Sequence, residues 1–112
     1  EADWQAPVDG TSLVPFLSGT NAAWRESFLF EYFLEKVAPH CPSYFAVRTH
    51  DWKYIRYPEL PGMDELYHLS QDPGELNNVI DDADALPAKI RLQAKLRQLS
   101  RESNNPFPMD WR

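Results

Sequence analysis

The stretch YFAVRTHDWKYIRY, residues 44–57, decides the fold of this chain because two strand-like runs flank a short polar turn. Aromatic and β-branched residues favour strands, and the pattern predicts a hairpin of strands 44–49 and 52–57 that turns at His50-Asp51. Successive side chains of a strand point to opposite faces, so Phe45 and Val47 share one face while Arg48 lies on the other.

Further elements extend outward from this hairpin. Residues 27–33, SFLFEYF, are apolar on both faces, which predicts a central strand covered on two sides. Residues 65–69 predict a short fourth strand, and a helix is predicted from near Asp84 to about Glu102. Within that helix, four apolar residues recur at helical spacing: Ala88, Leu92, Leu96 and Leu99. The predicted fold class is α+β, a four-stranded antiparallel sheet packed against a C-terminal helix.

The composition excludes several function classes. The 112 residues allow one domain, and 17 acidic against 11 basic residues give a net charge of −6, which argues against nucleic-acid binding. No apolar run approaches the roughly 20 residues of a membrane span. Residues 36–57 have the opposite charge balance, with four Lys or Arg against one Asp. This stretch is compatible with an anionic ligand and equally with a solvated surface.

The residues provide no local catalytic or metal-binding motif. Cys41 has no suitably spaced base, and the three histidines lack the spacing of metal ligands. The cluster Asp81, Asp82 and Asp84 resembles a calcium loop only in charge, because the required Gly and closing Glu are missing. We therefore favour a capping and helix-dipole role for these aspartates, and predict no catalytic residue and no metal site.

Several segments, taken in order, resemble one known family. Residues 8–19, VDGTSLVPFLSG, are similar to the DG-x-S-L-x-P-x-L-x-G segment of sulfatases, and residues 24–28, WRESF, to a strand entry that follows it. The match continues through the hairpin with AVRT and WKYIRY, and then with ELYHL at 65–69 and DPGELNN at 72–78. The chain thus resembles the C-terminal subdomain of a type I sulfatase, in the alkaline-phosphatase-like superfamily.

The resemblance implies a division of labour between this chain and a missing partner domain. Such enzymes hydrolyse sulfate esters with a formylglycine and a calcium ion, both in a larger N-terminal domain. The formylglycine motif, C/S-x-P-x-R, is absent here, since Cys41 is followed directly by proline and no arginine follows in place. The resemblance therefore implies an N-terminal sulfatase domain as partner and no cofactor in this chain. It also favours a periplasmic or secreted location.

The resemblance also suggests domain boundaries. Residues 1–20 would end the connection from the catalytic domain, residues 21–103 would form the subdomain, and residues 104–112 would be a Pro-rich tail. If such a domain is missing, one face of the sheet or the N-terminal helix should expose an apolar patch.

The loop at residues 34–43, between the first two strands, can reach the substrate cleft in this family. We hypothesise that His40, and with it Lys36 or Arg48, contacts the leaving-group part of a sulfated small molecule or glycan, because cations suit such anions. The alternative is that Arg48 pairs with Glu31 on the neighbouring strand and that His40 is merely exposed.

The predicted function is a sulfatase C-terminal subdomain that packs on the catalytic domain, helps to shape the substrate cleft and is not catalytic alone. Two alternatives stay open. The first is the same subdomain of a related phosphodiesterase or phosphonate hydrolase, which can share this architecture. The second is a free-standing module that binds sulfated glycans without catalysis.

Overall fold

A computed structural model of the chain describes residues 10–20, 23–35, 37 and 40–103. The predicted tail and the first nine residues of the predicted connection lie outside the described residues. The elements are, in order, α1 (Val14–Leu17), β1 (Ser27–Tyr32), β2 (Tyr44–Thr49), β3 (Trp52–Arg56), β4 (Glu65–His68), a 3₁₀ turn (Ala83–Ala85) and α2 (Leu86–Glu102).

The four strands form one antiparallel sheet in the order β1-β2-β3-β4. The predicted hairpin is confirmed, and Val47 of β2 lies opposite Tyr54 of β3. The prediction that β1 is a central strand is wrong, because among the described residues it pairs with β2 alone and is an edge strand of this sheet. Aromatic content predicts a strand, but the number of its neighbours depends on how the whole chain is connected.

The core lies between one face of the sheet and α2. Its fully buried sheet residues are Phe45, Val47, Tyr54 and Leu66, against which Leu92 and Leu96 of the helix pack. Burying a side chain of this size stabilises the fold by about 1.5–3 kcal/mol. The helix therefore covers this face, which we call the helix face. The opposite face, which we call the open face, carries the alternate side chains of each strand.

Helix α2 begins and runs close to the prediction. Pro87 lies in its first turn, where its missing N–H costs no intrahelical hydrogen bond. The buried positions are Ala88, Leu92, Leu96 and Ser100, so the stripe keeps a spacing of four and Leu99 is only half-buried. The aspartates before the helix contribute less than expected, since Asp82 occupies the N-cap of the 3₁₀ turn without a side-chain capping bond.

The segment after β4 folds back and covers the edge of the sheet. The Asp72 side chain accepts a hydrogen bond from the Asn77 N–H at 2.8 Å, so this aspartate bonds forward to the backbone of its turn. Asn78 Oδ1 then accepts the Leu66 N–H at 2.9 Å, and the Val79 N–H donates to the Leu66 carbonyl at 2.9 Å. These bonds satisfy backbone groups of β4 that an edge strand would otherwise leave to solvent.

Candidate functional site

The loop between β1 and β2 is held at its base by three contacts. The Leu34 N–H donates to the Oγ of buried Ser43 at 3.0 Å, which joins the two ends of the loop. Tyr32 and Tyr44 stack on the open face with ring centroids 5.7 Å apart, and Phe33 meets Phe45 edge-on at 5.7 Å on the other face. The sequence places aromatic residues on both sides of this loop, and their pairing fixes where the loop leaves the sheet.

Of the three predicted substrate-contacting residues, the structure describes His40 and Arg48, which lie apart. His40 is exposed on the loop, and Lys36 lies outside the described residues. Arg48 lies four residues along β2 from Tyr44, about 14 Å from the loop end of that strand. Their joint role in binding substrate stays a prediction.

The alternative pairing of Arg48 with Glu31 is wrong. The register places Arg48 opposite Phe28 and Lys53 on the open face, whereas Glu31 lies opposite Phe45. Residues separated by an odd number of positions along paired strands point to opposite faces of the sheet. Glu31 instead accepts a hydrogen bond from the Ser103 Oγ at 3.3 Å, beyond the end of α2.

A row of tyrosines at the loop end of the open face was missed by the sequence reasoning. Tyr44 lies between Tyr32 and Tyr57, whose ring centroid is 6.4 Å away. The Glu65 carboxylate accepts the Tyr57 hydroxyl at 3.0 Å and the Tyr67 hydroxyl at 2.6 Å. The signal that could have found this row is the hairpin register, which places Tyr44 and Tyr57 at the same end of neighbouring strands.

These hydrogen bonds keep the tyrosines protonated. Burial, followed by the hydrogen bond to Glu65, raises the pKa of Tyr57 to about 12. The hydrogen bond to Glu65 is the main cause that raises the pKa of Tyr67. Both hydroxyls donate their single hydrogen to Glu65, so the cluster holds this end of the sheet together and leaves neither O–H free to donate to a ligand.

A groove lies at the other end of the sheet, between the hairpin turn and α2. It is lined by Glu26 and Asp51 on one side and by Arg91 and Lys95 on the other. Both signs of charge are present, so the groove does not select an anion. The nearby Trp52 stacks on His68 with ring centroids 4.2 Å apart and packs against the core, which makes it a structural residue.

The aromatic residues of β1 and β3 divide between the two faces of the sheet. Tyr54 and Trp52 lie on the helix face, where Tyr54 is fully buried. Phe28 and Phe30 lie on the open face, where 38% and 39% of their surfaces remain exposed.

The described residues do not fit the calcium or formylglycine site of the resemblance. No three His, Cys, Asp or Glu side chains among them come together in a group that could hold a metal ion. Cys41 is exposed, and its neighbours do not form the required motif. In the part of the chain that the structure describes, no helix is long and apolar enough to cross a membrane.

Comparison with known proteins identifies a family whose members resemble this chain. The family model described as the C-terminal domain of N-sulphoglucosamine sulphohydrolase matches residues 2–102. An N-acetylglucosamine-6-O-sulfatase from Bacteroides thetaiotaomicron is 27% identical over 103 residues, which cover 89% of this chain and 18% of that protein.

Solved structures show the same architecture. One of them was solved in complex with its substrate, D-glucosamine-2-N,6-O-disulfate. It is 28% identical to this chain with a TM-score of 0.77, and the match covers 95% of this chain and 22% of that protein. The phosphonate monoester hydrolase of Agrobacterium radiobacter is 30% identical to this chain with a TM-score of 0.68. The match covers 84% of this chain and 21% of that protein. The chain thus spans about a fifth of the length of these relatives.

Proposed function

The chain belongs to the family of N-sulphoglucosamine sulphohydrolase C-terminal domains, and from this premise we propose that it is the C-terminal part of an enzyme that hydrolyses sulfate esters. The family match across residues 2–102 is the observation that carries this proposal. Two of the relatives named above concern sulfated glucosamine derivatives, one by its name and one by the substrate in its structure, and a sulfated amino sugar is therefore the proposed substrate class.

The proposed role of this chain within that enzyme is binding rather than bond cleavage. The described residues place an exposed histidine and a row of tyrosine rings at one end of the sheet, and the sequence has no local catalytic motif beside them. We therefore assign hydrolysis to the catalytic domain, and to this chain the support of one wall of the substrate cleft.

His40 is the residue through which we propose that the loop contacts the substrate. It extends from a loop whose ends are tied by Ser43, next to the stacked pair Tyr32 and Tyr44. An imidazolium can donate a charged hydrogen bond to a sulfate or carboxylate of the substrate, and a fixed loop base limits the entropy lost in forming it. Arg48 and Lys36 are proposed as further anion contacts only where the catalytic domain brings the substrate to them.

The test of this role is His40→Ala in the full-length enzyme. A hydrogen bond to a charged group contributes about 1.5–3 kcal/mol, so we expect kcat/KM for the sulfated substrate to fall about 10- to 100-fold. His50→Ala is the matched control, because His50 is also exposed but lies at the opposite, hairpin end of β2, beside Asp51. An unchanged kcat/KM for His40→Ala, or an equal loss in the control, would contradict the proposed contact.

A second candidate function is favoured by the phosphonate monoester hydrolase, whose C-terminal fold this chain also shares. Sulfate monoesters and phosphonate monoesters both carry a single negative charge at neutral pH but differ in the central atom and its substituents, and the catalytic domain chooses between them. Parallel assays of the full-length enzyme on a sulfate and a phosphonate ester of the same leaving group separate the two. Higher kcat/KM on the phosphonate ester would replace the sulfatase proposal.

A further inference from the structure

We infer that the groove between the hairpin turn and α2 is a ligand site of its own, which binds a small sugar that carries both a positive and a negative charge. The choice of a sugar rests on the proposed function, because an amino sugar with a sulfate and a free amine is such a zwitterion. The groove has two charged walls, both supplied by this chain. It lies at the opposite end of the sheet from the loop 34–43.

The two walls carry opposite charges. Glu26 and Asp51 lie on the wall formed by the start of β1 and the hairpin turn, whereas Arg91 and Lys95 lie on the α2 wall. No ion pair between described residues joins the two walls. The charges therefore stand apart across the groove, and a ligand that bears an ammonium and a sulfate satisfies both walls at once.

The basic pair on α2 has no acid in the helix to offset it. Arg91 and Lys95 are one turn apart, and like charges at this spacing destabilise a helix. No acidic residue stands three or four positions from either of them. An anion held by both side chains removes their repulsion, and a guanidinium pairs with a sulfate through two parallel hydrogen bonds.

The lining between the walls suits a sugar ring. Leu92 and Trp52 contribute apolar surface, while Ser27 and Gln98 contribute a hydroxyl and an amide that can each donate and accept hydrogen bonds. A sugar ring presents C–H groups on its faces and hydroxyls at its edge, so it matches both kinds of lining. The groove volume of about 670 Å³ lies within the range of small-molecule sites.

Both walls are fixed before any ligand binds. The Leu69 N–H donates to the Asp51 carbonyl at 2.7 Å, and the Trp52 N–H donates to the Thr49 Oγ1 at 3.1 Å. Trp52 is also held by its stacking on His68. The opposite wall belongs to a helix whose other side packs on the sheet. A site of fixed geometry loses less entropy when a ligand binds, which favours affinity for a small molecule.

The arrangement of charges also discriminates against simpler ligands. A sugar sulfate without an amine places its negative charge near Glu26 and Asp51 without pairing them, and an amino sugar without a sulfate does the same to Arg91 and Lys95. Like charges brought together and charges left unpaired both lower affinity. The groove should therefore prefer the zwitterion over either singly charged sugar.

The test measures the protection of a thiol placed in the groove of the full-length enzyme. Ala94→Cys is introduced into a Cys41→Ser background, because Cys41 is itself exposed, and any other reactive thiol is replaced in the same background. Ile90→Cys is the control, since Ile90 exposes 59% of its surface on the same helix but does not line the groove. Gln98→Cys, which also lines the groove, repeats the measurement should Ala94→Cys fold poorly.

Each variant reacts with a maleimide at about pH 6.5, where an amine is protonated. The reaction is run without ligand and with glucosamine 6-sulfate, glucose 6-sulfate or glucosamine. Reactions are kept short enough that the ligand stays intact, which sulfate release reports.

We expect about 10 mM glucosamine 6-sulfate to slow the reaction of the Ala94→Cys thiol at least about fivefold, because this concentration fills about nine-tenths of a site with a Kd of about 1 mM. Either singly charged sugar should need an at least about tenfold higher concentration, since it loses the charged hydrogen bonds of one wall. Adding Arg91→Ala should abolish the protection. Adding Arg101→Ala, which removes the same charge from α2 outside the groove, should leave it intact.

Four results would overturn the inference: no protection at that concentration, equal slowing of the Ile90→Cys thiol, equal protection by a singly charged sugar, and protection that survives Arg91→Ala. Thiol protection is read without turnover. Its failure is therefore distinguishable from a failure of the sulfatase proposal, which the ester assays report.

Discussion

Tyr54 shows how a single polar atom is accommodated in the core. Its ring is fully buried between β2, β4 and α2, while its hydroxyl donates to Asp64 Oδ2 at 2.5 Å and lies 3.4 Å from the Gln93 Nε2. Burial, with the Asp64 hydrogen bond next, raises the pKa of Tyr54 to about 12. The sequence predicts the strand that contains this residue, but not that its hydroxyl has a carboxylate partner ten residues away.

This raised pKa predicts a dependence of stability on alkaline pH. The folded state holds the Tyr54 proton more tightly than the unfolded chain, so the stabilisation is fully present below the ordinary pKa of 10.0 and is lost as pH rises through about 12. In Tyr54→Phe the free energy of unfolding should fall by about 1–2 kcal/mol at pH 8, because Asp64 loses a donor. Urea denaturation between pH 8 and 12 should also show a shallower alkaline decline than in the unchanged chain. Parallel pH profiles of the two proteins would contradict the assignment.

Helix α2 is the element that the sequence predicts best. Its apolar stripe and Pro87 depend on residues close together in the chain, so spacing alone locates the helix and its buried side. Strand β1 shows the limit of this approach. Its residues predict a strand correctly, but its position at the edge and the exposure of Phe28 depend on contacts with distant segments.

The helix stripe makes a prediction about stability. Leu96→Ala removes a fully buried side chain between α2 and the sheet, and should lower the free energy of unfolding by about 2–5 kcal/mol. Leu86→Ala is the matched control in the same helix, where 51% of the surface is exposed, and should change stability by less than about 1 kcal/mol. Both values come from urea denaturation monitored by circular dichroism. Equal losses in the two variants would show that α2 does not pack as described.

At the scale of the whole molecule, the chain is one sheet layer and one helix layer with a second apolar sheet face left over. The charges are distributed accordingly, since Lys53 and Glu65 of the open face already have partners within the chain while Arg48 has none among the described residues. A layer pair of this kind can position a loop such as 34–43. Its described residues do not assemble a group that could hold a metal ion.

This organisation predicts that the 112-residue chain is inactive by itself. The chain alone should release no sulfate from a 4-nitrophenyl or amino-sugar sulfate ester above the buffer rate, while the full-length enzyme should turn over at least one of them. The reason is that binding groups without a nucleophile do not lower the barrier to bond cleavage. Sulfate release by the isolated chain that scales with its concentration would contradict this division of labour.

The sequence by itself determined the strands, the helix, the turn chemistry at Asp72 and the ordered segments that resemble sulfatases, because each depends on residues within a few positions of one another. Only the tertiary structure decided that β1 is an edge strand, that Arg48 lies opposite Phe28 rather than beside Glu31, and that four tyrosines and Glu65 meet at one end of the sheet. These features join residues from separate strands, and strand order and register are set by the packing of the whole chain, which local patterns do not encode.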